Sequence, residues 1–125
     1  MPASTSVPSV LGRMNDAINA HDIEAFMSCF ADEYTSEQPL HPERAFSGKT
    51  QVRANWTAFF ANVPDIKSEI AAVAINGDTA WSEWHWTGTQ KDGSRLNMRG
   101  VVVSRLANGV IRWARLYMEP VQVKQ

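Results

Sequence analysis

Three dipeptides, Asn76-Gly77, Asp92-Gly93 and Asn108-Gly109, set the layout of the second half of this chain. A two-residue type I′ hairpin turn needs positive φ at both central positions, which Asn-Gly and Asp-Gly pairs tolerate best. Their spacing leaves room for four long strands in a meander, over about 66–75, 79–89, 94–106 and 110–119. The first half reads as helix. Val7, Val10, Leu11, Met14, Ala17 and Ile18 recur at the spacing of one buried helical face. Asn19-Ala20-His21-Asp22 interrupts that face, and Asp22 is placed to cap a second short helix whose stripe is Ile23, Phe26, Met27 and Phe30. A short strand is expected over 34–38, then a loop with Pro39, Pro42 and Gly48. A third helix opens at Thr50, with Val52, Trp56, Phe59 and Phe60 on one face, and Pro64 ends it. Helices first and a long antiparallel sheet after them make an α+β class.

At 125 residues the chain has about one domain's worth of sequence. We expect a single domain over 7–121, a flexible segment over 1–6 and a tail over 122–125. Twelve basic against thirteen acidic side chains leave a net charge of −1, which argues against a nucleic-acid partner needing a surplus of cations. No segment has the length of a membrane span, and the first residues lack the pattern of a signal peptide, so no membrane association and a cytoplasmic location are expected. The single cysteine, Cys29, sits beside an apolar stripe and reads as a buried structural thiol. A metal centre needs three convergent ligands, and none is expected; nor is any cofactor, since no phosphate-cradling glycine motif is present.

Five tryptophans are the odd feature of the composition. Strand side chains alternate faces, so the run from Ala80 to Thr87 divides into Trp81, Glu83, His85 and Thr87 on one side and Ser82, Trp84 and Trp86 on the other. In the last strand Ala114, Leu116 and Met118 oppose Trp113, Arg115 and Tyr117. Three helices cover one face of one sheet. An aromatic outer face left in water marks an interface, so Trp84, Trp86, Trp113, Arg115 and Tyr117 are expected to form a homodimer contact. The inner face would then hold Glu83 and His85 beneath the helices. His85 could act as general base or acid, with Glu83 orienting it, or the two could be a structural pair that satisfies itself. Met14, Gln38, Trp56, Phe60, Trp81, Val102, Leu116 and Met118 complete the expected pocket.

The chain from about 7 to 121 resembles the nuclear transport factor 2-like superfamily, in particular its SnoaL-like bacterial members. The resemblance rests on the 17–26 helix junction (Ala-Ile-Asn-Ala-His-Asp-Ile-Glu-Ala-Phe), Phe30-Ala31-Asp32-Glu33 and the Gly48 turn. It continues through Trp86-Thr87-Gly88-Thr89, Arg99-Gly100-Val101, and Gly109-Val110-Ile111 leading to Arg115-Leu116-Tyr117-Met118-Glu119. It implies a cystatin-like cone, a strongly curved antiparallel sheet around three helices with a pocket between, and often a dimer through the outer sheet face. It does not imply one activity. The general-base aspartate of ketosteroid isomerases falls on Gln38, their oxyanion-hole tyrosine on Met14 and their oxyanion-hole acid on about Val102, which speaks against that activity. The Arg-x-Asp of limonene-epoxide hydrolases falls on Glu83-Trp84-His85 and their last-strand aspartate near Leu116. Two functions follow: a pocket for a small, mostly apolar molecule, with or without acid/base chemistry, or a non-catalytic dimeric module whose own side chains, Tyr34, Trp56, Trp81 and Phe60, fill the pocket.

Overall fold

A computed structural model describes residues 7–122; the segment 1–6 and the last three residues of the expected tail lie outside it. Three helices, α1 (Ser9–Ala20), α2 (Ile23–Met27) and α3 (Lys49–Asn62), pack on one face of a six-stranded curved sheet. The strands are β1 (Phe30–Glu37), β2 (Phe46–Ser47), β3 (Lys67–Asn76), β4 (Thr79–Thr89), β5 (Arg95–Ala107) and β6 (Val110–Pro120). Their order is β2-β1-β6-β5-β4-β3, antiparallel except where β1 runs parallel to β6. The α+β cone expected from the sequence is the fold. A single turn of 3₁₀ helix (Pro42–Arg44) and the two residues of β2 add structure to the stretch expected as loop.

Local chemistry accounts for the helix ends. Asp22 accepts the Ala25 backbone N–H at 3.1 Å and so caps α2. His21 takes the left-handed conformation that closes α1, with φ 56°. The side chain of Asn19 then ties that end to β3, donating to the Ser68 carbonyl at 2.9 Å and accepting the Ser68 N–H at 2.7 Å. α3 stops at Asn62, two residues before Pro64.

Two of the three hairpins depart from the expected turn. Ala107 pairs with Val110 around Asn108-Gly109, both at positive φ, as a type I′ turn requires. The β3–β4 turn instead centres on Gly77-Asp78, with Asn76 paired to Thr79 and only Gly77 at positive φ, the type II′ pattern. The β4–β5 loop has three residues, not two. The Gln90 N–H reaches the Ser94 carbonyl at 2.8 Å, the Gly93 N–H returns to the Gln90 carbonyl at 2.9 Å, and Gly93 has φ 89°.

That extra residue corrects the expected face assignment of β4. A two-residue Asp92-Gly93 loop would pair Glu83 with Val102; the three-residue loop pairs Ser82 with Val102, Trp84 with Gly100 and Trp86 with Met98. A register slip of one residue sends every side chain to the other face. Trp84 and Trp86 therefore point into the core, 2% and 6% exposed. Trp81, Glu83 and His85 point away from the helices, and Trp81 is among the most exposed large apolar side chains described. Trp84 and Trp86 cannot serve an outer-face interface, and Trp81, Glu83 and His85 cannot line an inner pocket.

The core is aromatic and tightly keyed. Phe26 lies 4.4 Å from Trp56 between ring centroids, and Trp56 meets Trp86 edge-on. Trp84 donates its indole N–H to the Ser82 hydroxyl at 2.8 Å, and Ser82 donates to the Val102 carbonyl at 3.1 Å. Both polar side chains are thus satisfied inside the core, as burial demands.

Candidate functional site

Between helices and sheet lie two adjoining chambers. The larger encloses about 290 Å³ and the deeper about 50 Å³. Phe30, Tyr34, Trp56, Trp86 and Leu116 stand in the walls of both. β1 contributes alternate residues, Tyr34 and Ser36, with Gln38 just past the strand end. α3 contributes Val52, Asn55, Trp56 and Phe59 at the spacing of one helical face. β4, β5 and β6 add Trp86, Met98, Leu116 and Met118. Gln38, Arg44 and Asn55 form the more exposed rim, and the aromatic rings form the buried interior.

The expected pocket residues divide. Gln38, Trp56, Leu116 and Met118 line the larger chamber; Met14 and Val102 line the deeper one beside Trp56 and Leu116. Phe60 lines neither and packs behind the cavity against Trp56 and Phe26. Trp81 lies on the outer face of the sheet. His85 shares a hydrogen bond of 2.8 Å with Asn97 Oδ1 there, and Glu83 is exposed, so this pair is no acid/base couple for the cavity. Of the expected interface residues, Trp113, Arg115 and Tyr117 do occupy the outer face. Trp113 lies beneath the guanidinium groups of Arg115 and Arg105, at 4.6 and 5.8 Å, and donates to Glu37 at 2.6 Å.

Among the lining residues not anticipated from sequence are Ser36, Arg44, Asn55, Trp86 and Ser104. Asn55 was readable, since it falls three residues after Val52 on the same helical face. Arg44 sits in a proline-containing loop with no periodicity to reveal its direction.

Proton chemistry in the chambers is sparse. Among the described residues no Asp, Glu, His or Cys lines either one. Gln38, Met14 and Val102, the positions that resemble the ketosteroid isomerase base and oxyanion hole, do line the chambers, and none of them exchanges a proton at neutral pH. Burial pushes Tyr34 up to about 12, the Ser36 hydroxyl offsetting part of the rise, so its phenol stays protonated. Cys29 lies apart from the chambers. Its thiol donates to the Ala25 carbonyl at 3.6 Å, and burial raises its pKa, which suits a structural thiol. Among the described residues no three His, Cys, Asp or Glu side chains converge as a metal site needs.

What the interior does offer is hydrogen-bond donors. Trp86 stands in the walls of both chambers and Ser104 in that of the deeper one, while the Trp86 indole N–H and the Ser104 hydroxyl are themselves buried and have no partner among the described residues. At the rim, Arg44 Nη1 donates to Gln38 Oε1 at 3.2 Å, and Gln51 donates to Asn55 Oδ1 at 2.7 Å.

Helices laid over a curved sheet around an aromatic cavity define a cystatin-like cone with an internal chamber. The SnoaL-like domain matches residues 11–115, and the chain belongs to that family. No curated protein matches the sequence. Among solved structures, a nuclear transport factor 2-like protein of unknown function from Exiguobacterium is 26% identical with a TM-score of 0.73, over 91% of this chain and 99% of that one. A protein provisionally named as a SnoaL-like polyketide cyclase from Jannaschia is 19% identical at a TM-score of 0.76, over 94% and 92%. A hypothetical protein with a ketosteroid isomerase-like fold from Catenulispora acidiphila, solved with trimethylamine, is 15% identical at 0.76, over 88% and 85%.

Proposed function

We propose that this SnoaL-like protein binds a small, mostly apolar molecule carrying an oxygen acceptor, inside the cone. One observation carries the reading: an aromatic chamber of about 290 Å³ whose rim, Gln38, Arg44 and Asn55, presents hydrogen-bond donors. A ligand with an oxygen acceptor would lay its rings against the aromatic walls and meet those donors. The volume sits at the low end of small-molecule sites, roughly 300–1,000 Å³, and suits one or two rings. The lining supplies donors and no base, so the reading is binding, or stabilisation of negative charge on a ligand oxygen, and not proton abstraction by a cavity residue. Polyketide cyclase-like neighbours are consistent with a ring-shaped ligand, but at their low identity they speak for the fold alone.

The test uses acetylnaphthalene, a neutral two-ring ketone, titrated while tryptophan fluorescence is read. Saturable quenching that weakens several-fold in Trp86→Phe is expected. Absence of saturation up to the solubility limit sinks the reading.

A homodimer through the outer sheet face belongs to the same proposal. Its support is the half-buried Trp113, Arg115 and Tyr117 beside the exposed Trp81, aromatic and Arg side chains of the kind enriched in interface cores. The acidic and basic groups around Trp113 (Glu33 and Asp78 against Arg105, Arg112 and Arg115) suit a self-complementary contact.

A further inference from the structure

We infer that the ligand is an aromatic monocarboxylate, its ring in the larger chamber and its carboxylate at the rim on Arg44. The inference rests on the reading of the cavity as a ligand site and names the ligand's chemistry.

The argument turns on which way the two rim amides face. An amide side chain carries one acceptor oxygen and one donor NH₂ group. Gln38 commits its oxygen to Arg44, and Asn55 commits its oxygen to Gln51. Each amide is left with its donors. Arg44 cannot accept, and among the described residues it makes no ion pair.

A rim in which donors predominate selects a group made of acceptors, and an ionised carboxylate is acceptor-only. Charge points the same way. Among the described residues Arg44 is the one charged side chain around the larger chamber, and no acid lines it to neutralise that charge or to receive a cation. One guanidinium matches one negative charge; a phosphate monoester, close to doubly charged at neutral pH, would leave a surplus. The remaining walls, Trp56, Phe59 and Trp86 among them, present faces and edges that suit a flat ring.

Naphthoate and methyl naphthoate share the ring and the carbonyl and differ in charge. Titrated into the 125-residue chain by calorimetry, naphthoate is expected to bind about tenfold tighter, in line with a charge-assisted hydrogen bond. Arg44→Gln is expected to remove most of that difference and leave the ester's affinity unchanged. Added salt narrows the difference in the parent, since Arg44 is exposed. Equal affinity of acid and ester, or an equal loss of both in Arg44→Gln, overturns the carboxylate assignment and leaves the cavity reading standing. Tighter binding of benzyltrimethylammonium than of naphthoate, through the aromatic walls alone, overturns it as well. If none of the three probes binds, both readings fall.

Discussion

Trp56 meets Trp86 edge-on, ring centroids 5.3 Å apart at 86°, and both rings stand in the walls of the two chambers. One ring comes from α3 and the other from β4, so the cavity exists only once helix and sheet have docked. The two tryptophans of β4 differ in what they gain from that docking. Trp84 has its N–H satisfied by Ser82, and Trp86 does not.

Trp84→Phe is therefore expected to cost more than Trp86→Phe. The first change loses buried volume together with a satisfied core hydrogen bond, about 2–3 kcal/mol. The second loses similar volume but also removes an unsatisfied donor, so the loss should be within about 1 kcal/mol. Urea unfolding of the two variants measures the difference, and equal losses would contradict the assignment of a free N–H to Trp86.

His85→Ala and Glu83→Ala test the other face of the same strand. Both side chains point away from the cavity, so acetylnaphthalene affinity should be unchanged in either variant. Stability should stay within about 0.5 kcal/mol of the parent, as for ordinary surface positions. A several-fold loss of affinity in His85→Ala would restore the acid/base reading that its place in the sequence suggests.

Why that reading arises from sequence is physical. Helix ends and turns are written in local chemistry, so Asp22, Pro64 and Asn108-Gly109 announce their elements directly. The inner face of β6 and the Trp56 face of α3 follow from periodicity alone. β4 has no such anchor, because both of its faces carry aromatic and polar residues. Its phase depends on whether the loop before β5 holds two residues or three, and Asp92-Gly93 fits either. Gly93 supplies the left-handed residue that closes a three-residue loop, and one position moves two tryptophans from the surface to the core.

Shortening that loop separates turn length from register. Deleting Lys91 leaves Asp92-Gly93 as a two-residue turn between Gln90 and Ser94, so Trp84 still faces Gly100 and both tryptophans stay in the core. The variant should melt cooperatively near the parent's temperature and bind no hydrophobic dye, as read by circular dichroism and dye fluorescence. A molten or unfolded variant would show that the three-residue loop itself is needed to hold the register.

Outer-face substitution separates assembly from binding. Tyr117→Glu places a charge on the proposed dimer surface without touching the chambers. Light scattering of the parent at micromolar concentration should give twice the 13.9 kDa of one chain, and the variant should give one. Acetylnaphthalene affinity should survive. A parent that runs as a monomer would remove the outer face as an interface and leave Trp81 and Trp113 as solvent-facing residues.

Tyr34 gives the fold a specific sensitivity to alkali. The phenol is buried, and its pKa rises from 10.0 to about 12 because the phenolate would have to be desolvated. Between those values the unfolded chain has lost the tyrosine proton and the folded chain keeps it, so the folded state binds more protons there. Stability from this group is full below pH 10 and declines as the pH rises toward 12. The decline amounts to about 2–3 kcal/mol, from two units at 1.36 kcal/mol each. Tyr34→Phe removes that dependence, whatever it does to stability at neutral pH. The comparison to make is the difference between the two proteins' unfolding free energies across the alkaline range, since lysines and the other tyrosine titrate in both. A difference that stays constant up to pH 12 would mean the phenol is solvated, and that the wall between the chambers is open to water.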